Sequence, residues 1–200
     1  MNDFWNERYA QEGYAYGKAP NVFLQSQLGF ISKGTLLFPA EGEGRNAVYA
    51  AEQGYETHAF DLSIAGQEKA LALANERQVT LHYAVGPLET LGYQEASFDG
   101  LVLIYAHFPA AVRKAYHQQL VSYVKEGGTV IFEAFSEAQI HYTSGGPKEV
   151  AMLFTEAAVR EEFPSLNFTY LDTVVVDLDE GPYHQGKGSV VRFVGVKTAL

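Results

Sequence analysis

The chain has 200 residues, no cysteine and a formal net charge of −10. That length fits one ordinary domain, 1–200, able to bury roughly 70% of its unfolded surface. The missing cysteine excludes disulfides, a cysteine nucleophile and thiolate metal sites. The acidic balance, with no run of Lys or Arg, argues against a nucleic acid held through phosphates and against an anionic membrane surface.

Residues 1–33 carry the aromatics Phe4, Trp5, Tyr9, Tyr14, Tyr16, Phe23 and Phe30. The first residues lack the basic stretch and apolar core of a secretory leader, and no apolar run approaches the ~20 residues of a membrane span. The expectation is a soluble cytoplasmic protein. A short helix is predicted within 21–30, and segment 1–33 is read as a lid over a core of 34–200. From residue 36, strands and helices alternate. Strand Leu36–Pro39 leads to helix Arg45–Gln53, and strand Thr57–Asp61 to helix Ser63–Arg77. Strand Val79–Val85 follows. Strand Leu101–Tyr105 leads to helix Ala110–Lys125, which Gly127-Gly128 would stop. Strand Gly128–Phe135 and helix Glu149–Glu162 come next.

Leu101-Val102-Leu103-Ile104 is continuously apolar, as a strand buried on both faces should be. Such alternation predicts a parallel sheet with right-handed crossovers. Tyr170–Leu178 and Ser189–Val196 have no room for a crossover helix between them and should pair antiparallel.

Ligands of open α/β sheets bind beyond the carboxyl ends of the strands. Gly42, Asp61, His107 and Phe135 all follow strand ends, so they share that edge. If Tyr170–Leu178 runs parallel to the others, the Glu180–Gly188 connection, with Tyr183 and His184, joins them. The run Leu36–Ala47 reads as strand, glycine turn and helix start. Its glycines admit a ligand close to the backbone, and the helix N-terminus offers free amides. Asp61 ends the neighbouring strand, where a carboxylate suits a ribose diol.

Gly42-x-Gly44-x-x-Ala47 with Asp61 formally satisfies a dinucleotide fingerprint, so an NAD-linked oxidoreductase is one reading. Three features favour S-adenosylmethionine (SAM). Glu41 would repel a pyrophosphate but suit a cationic amino-acid moiety. Five strands are followed by an antiparallel pair. The aromatic N-terminal segment is suited to closing over a site.

Glu41–Tyr49, Glu52-x-Gly54-Tyr55-Glu56 and Phe60-Asp61-Leu62-Ser63 resemble motifs of class I SAM-dependent methyltransferases. The similarity is greatest to the small bacterial group related to the tellurite-resistance (TehB-like) enzymes. Trp5-x-x-Arg8-Tyr9, Tyr16-Gly17-x-x-Pro20-Asn21-x-Phe23-Leu24, Ala106–Pro109, Gly145–Lys148 and Asp179–Lys187 resemble that group too.

The resemblance implies an α/β, Rossmann-like fold. Its seven-stranded, mostly parallel sheet runs 3-2-1-4-5-7-6, with one antiparallel strand and helices on both faces. It implies Glu41, Gly42 and Gly44 at the methionine end of SAM, Asp61 on the ribose and Leu62 on the adenine. Arg45, Asn46, Tyr105 and Tyr16 stand as further candidate cofactor contacts, and Arg8 as a partner of the SAM carboxylate. One departure is visible: at Gly86-Pro87 neither residue supplies the side-chain acceptor usual after the third strand, which leaves the backbone amide of Leu88 to meet the adenine.

Methyl transfer is an in-line displacement that needs alignment and exclusion of water, and a base only if the acceptor arrives protonated. His107 and His184 are the candidate bases. Arg113, Tyr142 and His184 are candidate contacts for a small-molecule acceptor, with Lys148 beside the Gly145-Gly146 turn. His58, His82 and His117 show no metal-ligand spacing and are read as structural; no metal is expected. A SAM-binding module without catalysis is the non-enzyme alternative.

Overall fold

The computed structural model describes residues 2–199, with side chains from Phe4 onward. Its strands are β1 (Thr35–Pro39), β2 (Glu56–Asp61), β3 (His82–Val85), β4 (Phe98–Ile104), β5 (Val124–Phe135), β6 (Leu166–Asp179) and β7 (Gln185–Lys197). They form one sheet in the order 3-2-1-4-5-7-6. β7 is antiparallel to both neighbours, so β6 runs with the other strands, and its end emerges at their carboxyl edge. The helices are α1 (Asn2–Tyr9), α2 (Val22–Gln27), α3 (Arg45–Glu52), α4 (Ile64–Glu76), α5 (Ala110–Ser122) and α6 (Glu156–Glu162).

Both faces of the central strands β1, β4, β5 and β7 are covered, which explains the unbroken apolar runs. Leu36, Phe38, Val102, Ile104 and Ile131 face α2, α3 and α4, packing on Leu24, Val48 and Leu73. The alternate residues Leu37, Leu101, Leu103, Val130 and Phe132 face α5 and α6, packing on Leu120, Val159 and Phe163. β1 beside β4 is where the strand order reverses, and that places a crevice at their carboxyl ends.

Several boundaries depart from the sequence reading. β3 starts at His82 because the chain after α4 is still closing that helix: Gln78 adopts φ +57°, and the Val79 amide donates to Ala74 O. α5 stops at Ser122, where Val124 pairs with Phe98. Gly127-Gly128 therefore lie within β5 rather than ending a helix. The helix expected over Glu149–Glu162 is broken. Buried Phe154 draws the chain extended, its amide donating to Phe135 O and its carbonyl accepting from Glu137 N. A short 3-10 turn, Val150–Met152, precedes that stretch, and α6 follows it, capped by Thr155 Oγ1.

Candidate active site

The glycine turn between β1 and α3 is built around two carboxylates. Gly42 and Gly44 have φ of +59° and +85°, a conformation that disfavours side chains. A Cβ on Gly42 would lie 2.5 Å from the Tyr9 hydroxyl, and one on Gly44 2.6 Å from Ala70 Cβ. Thus Gly44 lets α4 approach, and Gly42 is roofed by Tyr9. The Gly42 amide donates to Asp61 Oδ2 at 3.0 Å and the Ser63 amide to Oδ1 at 3.0 Å. Burial raises the Asp61 carboxyl, against the pull of those amides. Glu41 Oε1 accepts from the Asn46 and Ala47 amides, at 2.9 and 2.8 Å, and so closes the N-terminus of α3. Burial pushes its carboxyl up to about 7 despite those bonds and nearby Arg45. Tyr83, which the sequence reading passed over, supports the turn from β3 by donating to Gly42 O at 2.6 Å.

Leu62 is half-buried directly after β2. Leu88 points its side chain into the core, while its amide opens a 3-10 turn, Leu88–Thr90, and so has no partner within that turn. Gly86 N is held by Asp61 O at 3.0 Å.

Beside the turn lies a packed aromatic cluster. Tyr105 directly follows β4, the strand beside β1, and Arg45 at the start of α3 pairs with Glu180, which holds His184 of the same ring cluster. Tyr105 has φ +53°, uncommon outside glycine, which turns the chain at the end of β4. Its ring packs on Phe135 and His184, each at 4.7 Å, and Tyr16 packs on His184 at 4.5 Å. His107 stacks on Phe135 at 5.9 Å and 13°. His107 Nδ1 lies 3.2 Å from Met152 O, which assigns the proton to Nδ1 and the lone pair to Nε2. Nε2 is buried without a partner among the described residues. Burial lowers this imidazole to about 4, so it is neutral at pH 7. Burial also lowers His184, against the opposing pull of Glu180. Cβ atoms on Gly145 and Gly146 would lie 2.7 Å from the His184 ring and 2.6 Å from the Phe135 ring. Only a glycine pair lets this loop cross both rings. Gln139 donates to Gly145 O and Ser144 Oγ, each at 3.0 Å, and so fastens the loop.

Other candidates are placed elsewhere. Arg113 is buried in a clamp: it donates to Glu162 at 2.7 and 2.9 Å and to Ala151 O and Leu153 O at 3.1 Å. Four of its five N–H donors are engaged in this clamp, away from the aromatic cluster, so the reading of Arg113 as an acceptor contact is corrected. His117 joins the same clamp through Glu162 Oε2 at 2.7 Å. No hydrogen bond or ring contact links the Tyr142 side chain to the cluster among the described residues, and Lys148 is exposed. Arg8 donates to the Tyr16 hydroxyl at 3.0 Å, and its guanidinium lies over Phe4 and Tyr183, 4.6 and 4.3 Å from their centres. It is thus held in a cage of rings rather than at the glycine turn.

Arg45 and Asn46 also turn away from the glycine loop. Arg45 pairs with Glu180 Oε2 at 3.1 Å and donates to Ala19 O at 3.3 Å. Asn46 Oδ1 accepts from the Asn21 amide at 2.9 Å. These two first-turn side chains of α3 belong to a buried network that the sequence did not reveal. In it Asn21 Nδ2 donates to Glu133 and Glu180 at 2.7 and 3.0 Å, Tyr105 donates to Glu133 at 2.8 Å, Arg192 bonds Glu133, and His184 Nδ1 lies 3.1 Å from Glu180. The network borders a cavity of about 400 Å³ between residues 16–22 and the end of β6. It anchors the N-terminal segment and holds His184 in place.

A family model described as a methyltransferase domain matches residues 39–128, which span the glycine turn, Asp61 and β4. The fold resembles a protein solved in connection with the conversion of a disulfide bond into a thioacetal group during echinomycin biosynthesis (TM-score 0.77, 16% identity, 99% of this chain and 92% of that one). It also resembles TehB from Haemophilus influenzae (0.73, 15%, 98% and 67%) and a SAM-dependent methyltransferase from Anabaena variabilis (0.69, 14%, 98% and 93%). No curated protein sequence matches the chain. No helix among the described residues is long and apolar enough to cross a membrane. With its glycine turn, sheet order and matched region, the chain carries a methyltransferase domain over residues 39–128 in a fold similar to that of TehB.

Proposed function

We propose that this chain uses S-adenosylmethionine to methylate a small-molecule acceptor that meets it at the aromatic cluster of Tyr16, Tyr105, His107, Phe135 and His184. The observation that carries the reading is the adjacency of two features. One is a glycine turn joined to Asp61 by the 3.0 Å Gly42 bond; the other is the aromatic cluster, tied to the first turn of α3 through Arg45, Glu180 and His184. The residues fit the cofactor. A carboxylate has about four acceptor sites, so Asp61 retains capacity for ribose hydroxyls beyond its amide bonds. Glu41 Oε2 is left for the amino group, Leu62 and the Leu88 amide flank the adenine, and Tyr9 covers the turn. The cofactor supplies a methyl group on a sulfonium sulfur, transferred by in-line displacement. The chain's own task is to align the acceptor and exclude water, which the rings and the Gly145-Gly146 loop do. Neutral His107 offers Nε2 as acceptor to an X–H group and orients its lone pair.

Glu41 makes binding of the product, S-adenosylhomocysteine, pH-dependent. A carboxyl titrating at about 7 is partly protonated at pH 6, and only its ionised form pairs with an ammonium. Affinity is expected to fall about fivefold from pH 7 to pH 6, with proton uptake by the free protein. Calorimetry at the two values reads this directly, and Glu41→Gln flattens the difference. A flat wild-type profile contradicts the assignment.

Turnover with thiols, selenite, tellurite, amines and carboxylates tests the function. The expected result is methylation of at least one class, with His107→Asn lowering kcat at least about tenfold while leaving S-adenosylhomocysteine affinity intact. Tight binding of that product without turnover on any acceptor favours a module that binds the cofactor without catalysis.

A further inference from the structure

A second cluster of ligating side chains lies at the start of β2 and β3, away from the carboxyl edge that carries Asp61. Glu56 and His58 alternate along β2 and so share a face. The parallel register sets His82 of β3 opposite His58. The two imidazoles stack with ring centres 4.6 Å apart and planes 22° apart. His58 Nε2 lies 3.1 Å from Glu56 Oε1, and one ligating atom from each of the three residues lies within 4.8 Å of the others. Glu56 and His82 are exposed and His58 is half-buried, with Phe98 edge-on to its ring at 5.5 Å.

We propose that Glu56, His58 and His82 bind one divalent transition-metal ion at the outer part of the sheet. Zinc takes imidazole nitrogens at about 2.0–2.1 Å and carboxylate oxygens at about 2.0–2.2 Å, so ligand atoms in a tetrahedral shell stand roughly 3.3 Å apart. The present spacing reaches that by side-chain rotation alone, because the paired strands already fix the Cα positions. Two imidazoles and one carboxylate select zinc, nickel or copper over magnesium or calcium, which prefer oxygen shells. The fourth position is left to water. An ion here ties β3, a four-residue edge strand, to β2.

The test is titration of untagged, chelator-treated protein with zinc chloride at pH 7.5, followed by calorimetry and by thermal unfolding. One equivalent is expected to bind and to raise Tm. His58→Ala and His82→Asn should each weaken binding at least tenfold and abolish the rise in Tm. Their S-adenosylhomocysteine affinity should stay at the wild-type value, which also reports that the variants are folded. Absence of saturable zinc binding by the wild type, or binding unchanged in both histidine variants, overturns the proposal.

Discussion

Replacing Glu133 with alanine is expected to lower stability by about 3–5 kcal/mol, the cost of removing one partner from a buried charged pair. Glu133 is 1% exposed and accepts from Asn21, Tyr105 and Arg192, which lie on three different parts of the chain. Alanine takes this acceptor from the Arg192 guanidinium and the Tyr105 phenol and leaves the Asn21 amide with Glu180 alone. Urea denaturation reads the loss, and Glu133→Gln should recover part of it. A change under about 1 kcal/mol would mean that water reaches these groups, and would contradict the burial on which the argument rests. Glu180, in the same network, gives the effect a pH signature. Burial alone would raise its carboxyl, but the bonds from His184 and Arg45 outweigh burial and hold it at about 2, against an ordinary 4.5. A depressed carboxyl contributes stability above its unfolded value, and that contribution is lost as pH falls from about 4.5 through about 2. Glu180→Gln should therefore unfold less steeply with acid over that window.

Truncation of the N-terminal segment separates a movable roof from a structural strap. Removing residues 1–10 takes away α1, which rests on the glycine turn through Tyr9 and on α4 through Asn6 Oδ1, an acceptor for Ser63 Oγ and the Ala65 amide at 3.0 Å each. S-adenosylhomocysteine affinity is expected to fall about tenfold or more, since a closing element is lost, while unfolding stays cooperative. Removing residues 1–20 also strips Ala15, whose amide donates to buried Glu43 at 2.7 Å, the carbonyls of Gln11 and Gly13 that hold Lys69, and the Ala19 carbonyl that holds Arg45. That cut leaves Glu43 and Arg45 with unmet bonds in the interior and is expected to unfold the protein. Equal damage from both truncations, read by denaturation and calorimetry side by side, would contradict the division. On this division the lid expected of residues 1–33 separates into a roof, α1, and a strap that the core holds in place.

The sheet was readable because its information is local. Leu101–Ile104 states burial on both faces, and the glycine turn followed by Asp61 states which edge carries the ligand. What escaped the sequence depends on register and on distant pairs. Asn21 reaches Glu133 and Glu180 across 112 and 159 residues, and no spacing rule connects them. Arg113 looked like a lone cation near the site because its partner Glu162 lies 49 residues away. His58 and His82 showed no ligand spacing along the chain, yet the register of β2 and β3 sets them face to face. The broken helix at Phe154 has the same origin. Local propensity favours continuing the helix, while the empty place beside the end of β5 takes the phenyl ring.

SAM is expected to bind at the glycine turn with its ribose on Asp61. Calorimetry with S-adenosylhomocysteine on the wild type and on Asp61→Ala tests it most directly. One site per chain is expected in the wild type. The variant should bind weaker by roughly 1–3 kcal/mol, the worth of hydrogen bonds to a charged acceptor. Equal affinity in the two proteins, or no binding by the wild type, would contradict it.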